Sequence, residues 1–82
     1  MSSYDSARLE ILEWLSATLG TPVDQIDLTK PLTDIGLDSL HAVHMIATIE
    51  STIRQELPED VIKRVSCLND IFDMMRDRMA AA

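Results

Sequence analysis

The sequence predicts an all-α fold, a small four-helix bundle with three longer helices, one short helix and a long first loop. Three observations carry this. Apolar residues recur three and four positions apart in three separate segments, the period of a helix with one buried face. No stretch alternates apolar and polar residues in the two-residue period of a strand. Gly20, Pro22, Pro31, Gly36 and Pro58 punctuate the chain and cut it into helix-sized pieces.

The first helix is expected from Ser6 to Leu19. Ala7, Ile11, Leu12, Leu15 and Leu19 share one face beside Trp14, while Arg8, Glu10 and Glu13 turn mostly away. Gly20 supplies the stop, because glycine tolerates a left-handed cap and Pro22 cannot continue the hydrogen-bond ladder. The stretch from Thr21 to Asp38 then reads as a long loop. Its apolar residues Val23, Ile26, Leu28, Leu32, Ile35 and Leu37 are too regular for a free linker and are expected to pin it to the helices. Loops this long in compact domains are commonly functional, so the chemistry is expected at its end, Gly36-Leu37-Asp38-Ser39-Leu40.

Helix two opens at Ser39 with Asp38 as its N-cap, the carboxylate accepting amides of the first turn. Leu40, Val43, Ile46, Ala47, Ile49 and Ile53 trace its apolar stripe, and Pro58 ends the segment. Glu59 to Val65 make at most a short third helix. Ser66 caps a fourth, in which Leu68, Ile71, Phe72, Met75 and Met79 share one face. Ile46, Ile49, Ile53, Val61, Ile62, Ile71 and Met75 are expected in the interior. Met1, Met45, Met74, Met75 and Met79 suit an adaptable core or contact face.

Length and composition bound the function. A chain of 82 residues forms a single domain, 1–82, and buries only about 60–65% of its unfolded surface, too little for a deep active-site cleft. Apolar residues make up 46% of it, with one Trp, one Tyr and one Phe, so the core must be largely aliphatic. Fourteen acidic against seven basic residues give a net charge of −7, which repels nucleic acid and anionic membranes and favours basic protein surfaces. Cys67 is the single cysteine, so no internal disulfide can form, and beside Leu68 it reads as a partly buried structural thiol. No apolar run approaches the roughly 18 residues that span a bilayer. A cytoplasmic monomer is expected, and the short tails point to a discrete protein.

A serine at a helix start suits a phosphodiester, because unpaired amides and the helix dipole both favour an anion there. On Asp38-Ser39 alone, a plain cap accounts for the pair more simply. The wider run Pro31-Leu32-Thr33-Asp34-Ile35-Gly36-Leu37-Asp38-Ser39-Leu40 resembles the attachment motif of the acyl and peptidyl carrier proteins, with the core Gly-x-Asp-Ser-Leu complete. The resemblance extends through Val43, Ile46, Ile49 and Ile53, the Leu57-Pro58 exit, and Val65-Ser66 ahead of Leu68. It implies that Ser39 receives 4′-phosphopantetheine from coenzyme A through a phosphopantetheinyl transferase. Asp38 would present Ser39 to that transferase and its metal. Leu37 and Leu40 would offer apolar contacts to a ketosynthase, an acyltransferase or another synthase enzyme. The reactive thiol would belong to the arm, the tether would raise its local concentration at each partner, and the protein would not itself be an enzyme.

Fatty-acid relatives usually carry acids on the exposed face of helix two, where this chain has His41 and His44. These two are expected to tune partner choice, and they point toward polyketide-type biosynthesis. Two histidines three apart could approach a metal, but no third ligand stands nearby, so no metal is expected. A fatty-acid or peptidyl carrier is the alternative, the latter disfavoured by Asp38. A helical interaction module that carries no arm is the alternative from another class. A Ser39-His41 catalytic dyad fails on geometry, because residues two apart on a helix point to different sides.

Overall fold

The computed structural model describes residues 2–58 and 60–81, without the side chains of Ile62 and Ala81. The order of elements is α1 (Ser3–Leu19), two 3-10 turns (Val23–Gln25 and Leu32–Ile35), α2 (Ser39–Ile53), α3 (Val61–Arg64) and α4 (Leu68–Ala81). The architecture is all-helical, with no strand among the described residues. The three long helices pack against one another pairwise. Among the described residues no helix is long and apolar enough to cross a membrane.

Helix α1 begins three residues before the expected Ser6. The side chain of Ser2 accepts the Asp5 N–H at 3.1 Å and caps the extra turn, which lets Tyr4 pack partly on the core. Gly20 stops the helix as expected: its φ of 67° lets its N–H reach the Ser16 carbonyl at 2.9 Å. Ala7, Ile11, Leu12 and Leu15 are buried and Leu19 is half-buried. Glu10 and Glu13 are exposed, but Arg8 is not turned away. Its guanidinium lies 5.1 Å from the centroid of the Phe72 ring, where a cation gains from the aromatic face.

The apolar residues of the first loop do pin it. Ile26 and Leu37 enter the core, and Val23, Leu28, Leu32 and Ile35 pack against it. Two backbone bonds complete the attachment: the Leu32 N–H to the Ser66 carbonyl at 3.1 Å, and the Asn69 N–H to the Leu28 carbonyl at 3.0 Å. Asp27 closes a local turn by accepting the hydroxyl and the N–H of Thr29, at 2.7 and 2.8 Å. Those bonds, the hydroxyl first, hold its carboxyl below the ordinary value of 3.8.

Helix α2 is rotated relative to the expected stripe. Ala42, Met45, Ile49 and Ile53 are its buried residues, Ile46 is half-buried, Ala47 is exposed, and Leu40 and Val43 are 63% and 59% exposed. The helix is apolar on most sides, so residue spacing leaves its phase open; the cap at Asp38 and the burial of Leu37 just before it set the phase instead. Its end also differs. Arg54, at φ 57°, closes the helix well before Pro58 and sends its N–H to the Glu50 carbonyl. A non-glycine residue there costs about 1–2 kcal/mol, offset by bonds that order the exit: Gln55 Nε2 to the Arg78 carbonyl at 3.2 Å and the Leu57 N–H to Glu50 Oε2 at 2.7 Å.

Helix α3 is a single turn that buries Val61. The expected interior position Ile62 has its side chain outside the description, and Glu59 lies outside the described residues. In α4, Leu68, Ile71, Phe72 and Met75 are buried and Met79 is half-buried, as the pattern predicts. Ser66 meets α4 as a donor. Its N–H and hydroxyl both donate to Asp70 Oδ2, at 3.0 and 2.9 Å, because the carboxylate is the stronger acceptor. Those bonds, the Ser66 N–H first, hold the Asp70 carboxyl below its ordinary 3.8. The core is aliphatic apart from Phe72, and Met45 and Met75 are wholly buried. Cys67 is half-buried and unpaired.

Candidate functional site

The loop delivers the chain to α2 through one obligatory conformation. Gly36 has φ 93°, a left-handed geometry that ends the second 3-10 turn, and its N–H bonds the Thr33 carbonyl at 3.3 Å. A Cβ there would meet only Leu19 Cδ2 at 3.6 Å, an ordinary contact, so the requirement is for backbone freedom and not for space. The Leu37 N–H then reaches the Leu32 carbonyl at 3.0 Å, and the Leu37 side chain turns inward to 2% exposure. This corrects its expected role. Leu37 anchors the site from below and reaches solvent only at the floor of the depression beside Ser39.

Asp38 follows in extended conformation, and its Oδ1 accepts the His41 N–H at 2.8 Å. The cap expected of Asp38 is thus formed, and it leaves the side chain 69% exposed. Ser39 is the first residue of the helix and is exposed. It borders an open depression of about 250 Å³ whose lining includes Pro31, Thr33, Asp38, Ala42 and Ser66. An exposed hydroxyl at the positive end of a 15-residue helix, facing open space, fits a phosphodiester. When attached there, the arm would supply a thiol outside the protein's own core.

The two histidines do not share one environment. His44 is exposed on the outer face. His41 is half-buried, with its Nδ1 3.2 Å from the same Asp38 Oδ1 that accepts its backbone N–H. The ring is not aligned for a hydrogen bond, and Nδ1 is shielded from solvent without a hydrogen-bond partner. Among the described residues no group of three His, Cys, Asp or Glu is placed to hold a metal.

Past the exposed Asp38 cap, α2 opens on a stretch without acidic residues. From Ser39 to Ile49 there is no Asp, Glu, Lys or Arg, although the protein carries a net charge of −7. Leu40 and Val43 stand out from it, and Val43 continues into an open groove of about 340 Å³ with Ile46, Ala47, Leu57, Pro58, Val61 and the acidic Glu50. The sequence pattern placed Val43 in the apolar stripe of helix two without naming it among the interior residues. Its spacing of three from Leu40, with Ala47 four further on, was the available signal that these residues share an outward stripe.

Comparison with known proteins agrees with this geometry. The family model for the phosphopantetheine attachment site matches residues 10–75. The chain is 33% identical over 70 residues to an acyl carrier protein of Guillardia theta, covering 82% of this chain and 84% of that protein. It is 31% identical over 78 residues to the actinorhodin polyketide synthase acyl carrier protein of Streptomyces coelicolor, covering 95% and 91%. It is also 46% identical over 55 residues to the highly reducing polyketide synthase VdtX of Byssochlamys spectabilis. That match takes in 63% of this chain and 2% of the synthase. No solved structure gives a significant match. The chain belongs to the acyl carrier protein family, phosphopantetheine-bearing carriers that tether acyl intermediates for synthase enzymes.

Proposed function

We propose that Ser39 is the attachment residue and that the chain serves polyketide-type biosynthesis. The observation that carries the first part is the exposed Ser39 hydroxyl, held at the start of α2 by the Asp38 cap inside the matched family region. The Oγ attacks the pantetheine-side phosphorus of coenzyme A. One Oγ–P bond forms, the P–O bond to adenosine 3′,5′-bisphosphate breaks, and the hydroxyl proton passes to the phosphopantetheinyl transferase. Asp38 presents the serine to that transferase. Residues 1–82 then act as one four-helix carrier domain, a cytoplasmic monomer that delivers thioesters to a ketosynthase or acyltransferase and has no catalytic activity of its own.

Incubating wild type and Ser39→Ala with coenzyme A and a broad-specificity transferase tests this by intact mass. The wild type should gain the phosphopantetheinyl mass and the variant should not. A gain in Ser39→Ala would place the attachment elsewhere.

The polyketide assignment is supported by the names of two relatives and by the uncharged start of α2. Leu40, Val43 and His44 form the proposed partner face. His41, folded toward Asp38, is a lesser contributor than the sequence suggested. A fatty-acid carrier is the second reading, favoured by the Guillardia theta relative. Introducing His44→Glu should speed encounter with a basic fatty-acid ketosynthase at low salt, with the gain lost above roughly physiological ionic strength. An unchanged rate across the salt series would remove this face from docking.

A further inference from the structure

We propose that His41 is a positioning residue for loading: its imidazole fixes the Asp38 carboxylate so that one oxygen serves the helix while the other is offered to the transferase. This rests on the reading of Ser39 as the attachment residue. It uses a feature that neither capping nor docking accounts for.

Asp38 Oδ1 is approached twice by the same residue, by the His41 N–H at 2.8 Å and by the His41 Nδ1 at 3.2 Å. The tautomer with the proton on Nδ1 is the one this carboxylate can accept from, and it is the one the proposal uses. Nδ1 is also shielded from solvent and has no other hydrogen-bond partner, so a small turn of the ring toward Oδ1 would satisfy a buried donor. Hydrogen bonds of reacting groups are commonly long or misaligned in the free protein and tighten in the complex.

The consequence concerns symmetry. A carboxylate held by one amide can rotate and exchange its two oxygens, and Asp38 is exposed enough to do so. With Nδ1–H closing on Oδ1, the exchange is blocked and Oδ2 becomes the oxygen left for the transferase and its metal. The carboxylate then meets the incoming enzyme in one orientation, beside the Ser39 hydroxyl.

The experiment measures loading of the full chain with coenzyme A and a broad-specificity transferase, following initial rates by intact mass. Wild type, His41→Phe and His41→Asn are compared, with His41→Phe also made in an Asp38→Asn background, and the melting temperature of each is recorded. His41→Phe keeps the ring and loses the donor, so kcat should fall about tenfold with little change in KM for the carrier. His41→Asn places an amide N–H where Nδ1 stands and should restore most of the rate. In the Asp38→Asn background His41→Phe should cost nothing further, because the two residues act through one contact. Loading of His41→Phe at the wild-type rate, or an equal loss with and without the Asp38 carboxylate, would overturn the proposal. An effect on KM alone would make His41 a docking contact and would also overturn it. Failure of the Ser39 reading shows separately, as a mass gain in Ser39→Ala.

Discussion

Replacing Asp38 by Ala removes the acceptor of the His41 N–H, a 2.8 Å bond at the first turn of α2. Losing an N-cap costs about 0.5–2 kcal/mol. The Asp38 side chain is 69% exposed, so water takes over part of the bond and the lower half of that range applies. The anion also sits at the positive end of the helix, which contributes about 0.3–1 kcal/mol at low salt. The Ala variant should therefore lose about 1–2 kcal/mol in all. In a domain of this size each kcal/mol moves Tm by roughly 4–8 °C, a shift that thermal denaturation followed by circular dichroism resolves easily. Asp38→Asn keeps an acceptor and loses only the charge, so its Tm should fall by half as much or less. Loading should separate the two roles, with Asn nearly as slow as Ala because an amide cannot serve the transferase's metal as a carboxylate does. Equal rescue of Tm and loading by Asn would show that Asp38 is a cap and nothing more. An unchanged Tm in Asp38→Ala would show that the 2.8 Å bond contributes no stability.

The corrected phase of α2 predicts that Met45→Ala, at a wholly buried site, costs about 2–5 kcal/mol in chemical denaturation, whereas Leu40→Ala stays within about 0.5 kcal/mol. Comparable costs would restore the original stripe. Gly36→Ala should lose about 1–2 kcal/mol through its φ of 93°, and Gly36→Asn less; full stability of the Ala variant in urea would refute the backbone reading. Asp70 is depressed below 3.8 by the bonds from Ser66, so its stabilisation is complete above that value and is lost as pH falls through the lower folded-state pKa. Acid unfolding of Ser66→Ala should accordingly show a shallower pH dependence below pH 4 than wild type, and identical curves would remove this contact from the acid response.

Local signals in the sequence identified the parts of the fold that depend on neighbouring residues. Gly20 and Asp38 are read directly from cap chemistry, and the α4 stripe is legible because polar residues separate its apolar ones. The rotation of α2 is different in kind, since a helix apolar on nearly every side has no polar face to mark its phase. Its end at Arg54 carries no glycine and is set by distant partners, Leu57 on Glu50 and Gln55 on Arg78. At the site, Ser39 and Asp38 stand where the motif suggests, but the burial of Leu37 depends on the path of the whole loop. The His41 to Asp38 approach lay within reach of sequence spacing, as residues three apart on a helix are neighbours. What spacing could not supply was the shielding of Nδ1.

The two bonds that tie the loop to the α4 end of the fold run from backbone to backbone, Leu32 to Ser66 and Asn69 to Leu28. A peptide group is the same in every residue, so these ties are blind to side-chain identity except that a proline at 32 or 69 would remove the donor. The exposed residues on either side of Leu32, Lys30, Thr33 and Asp34, are thereby released to drift, while Thr29 stays tied to Asp27 through its hydroxyl. A lineage can rewrite the loop's outer surface to suit new enzymes while Ser39 stays where it is. A saturation library across positions 30–34 and 69 should record this as broad tolerance at the three outer sites and sharp exclusion of proline at 32 and 69.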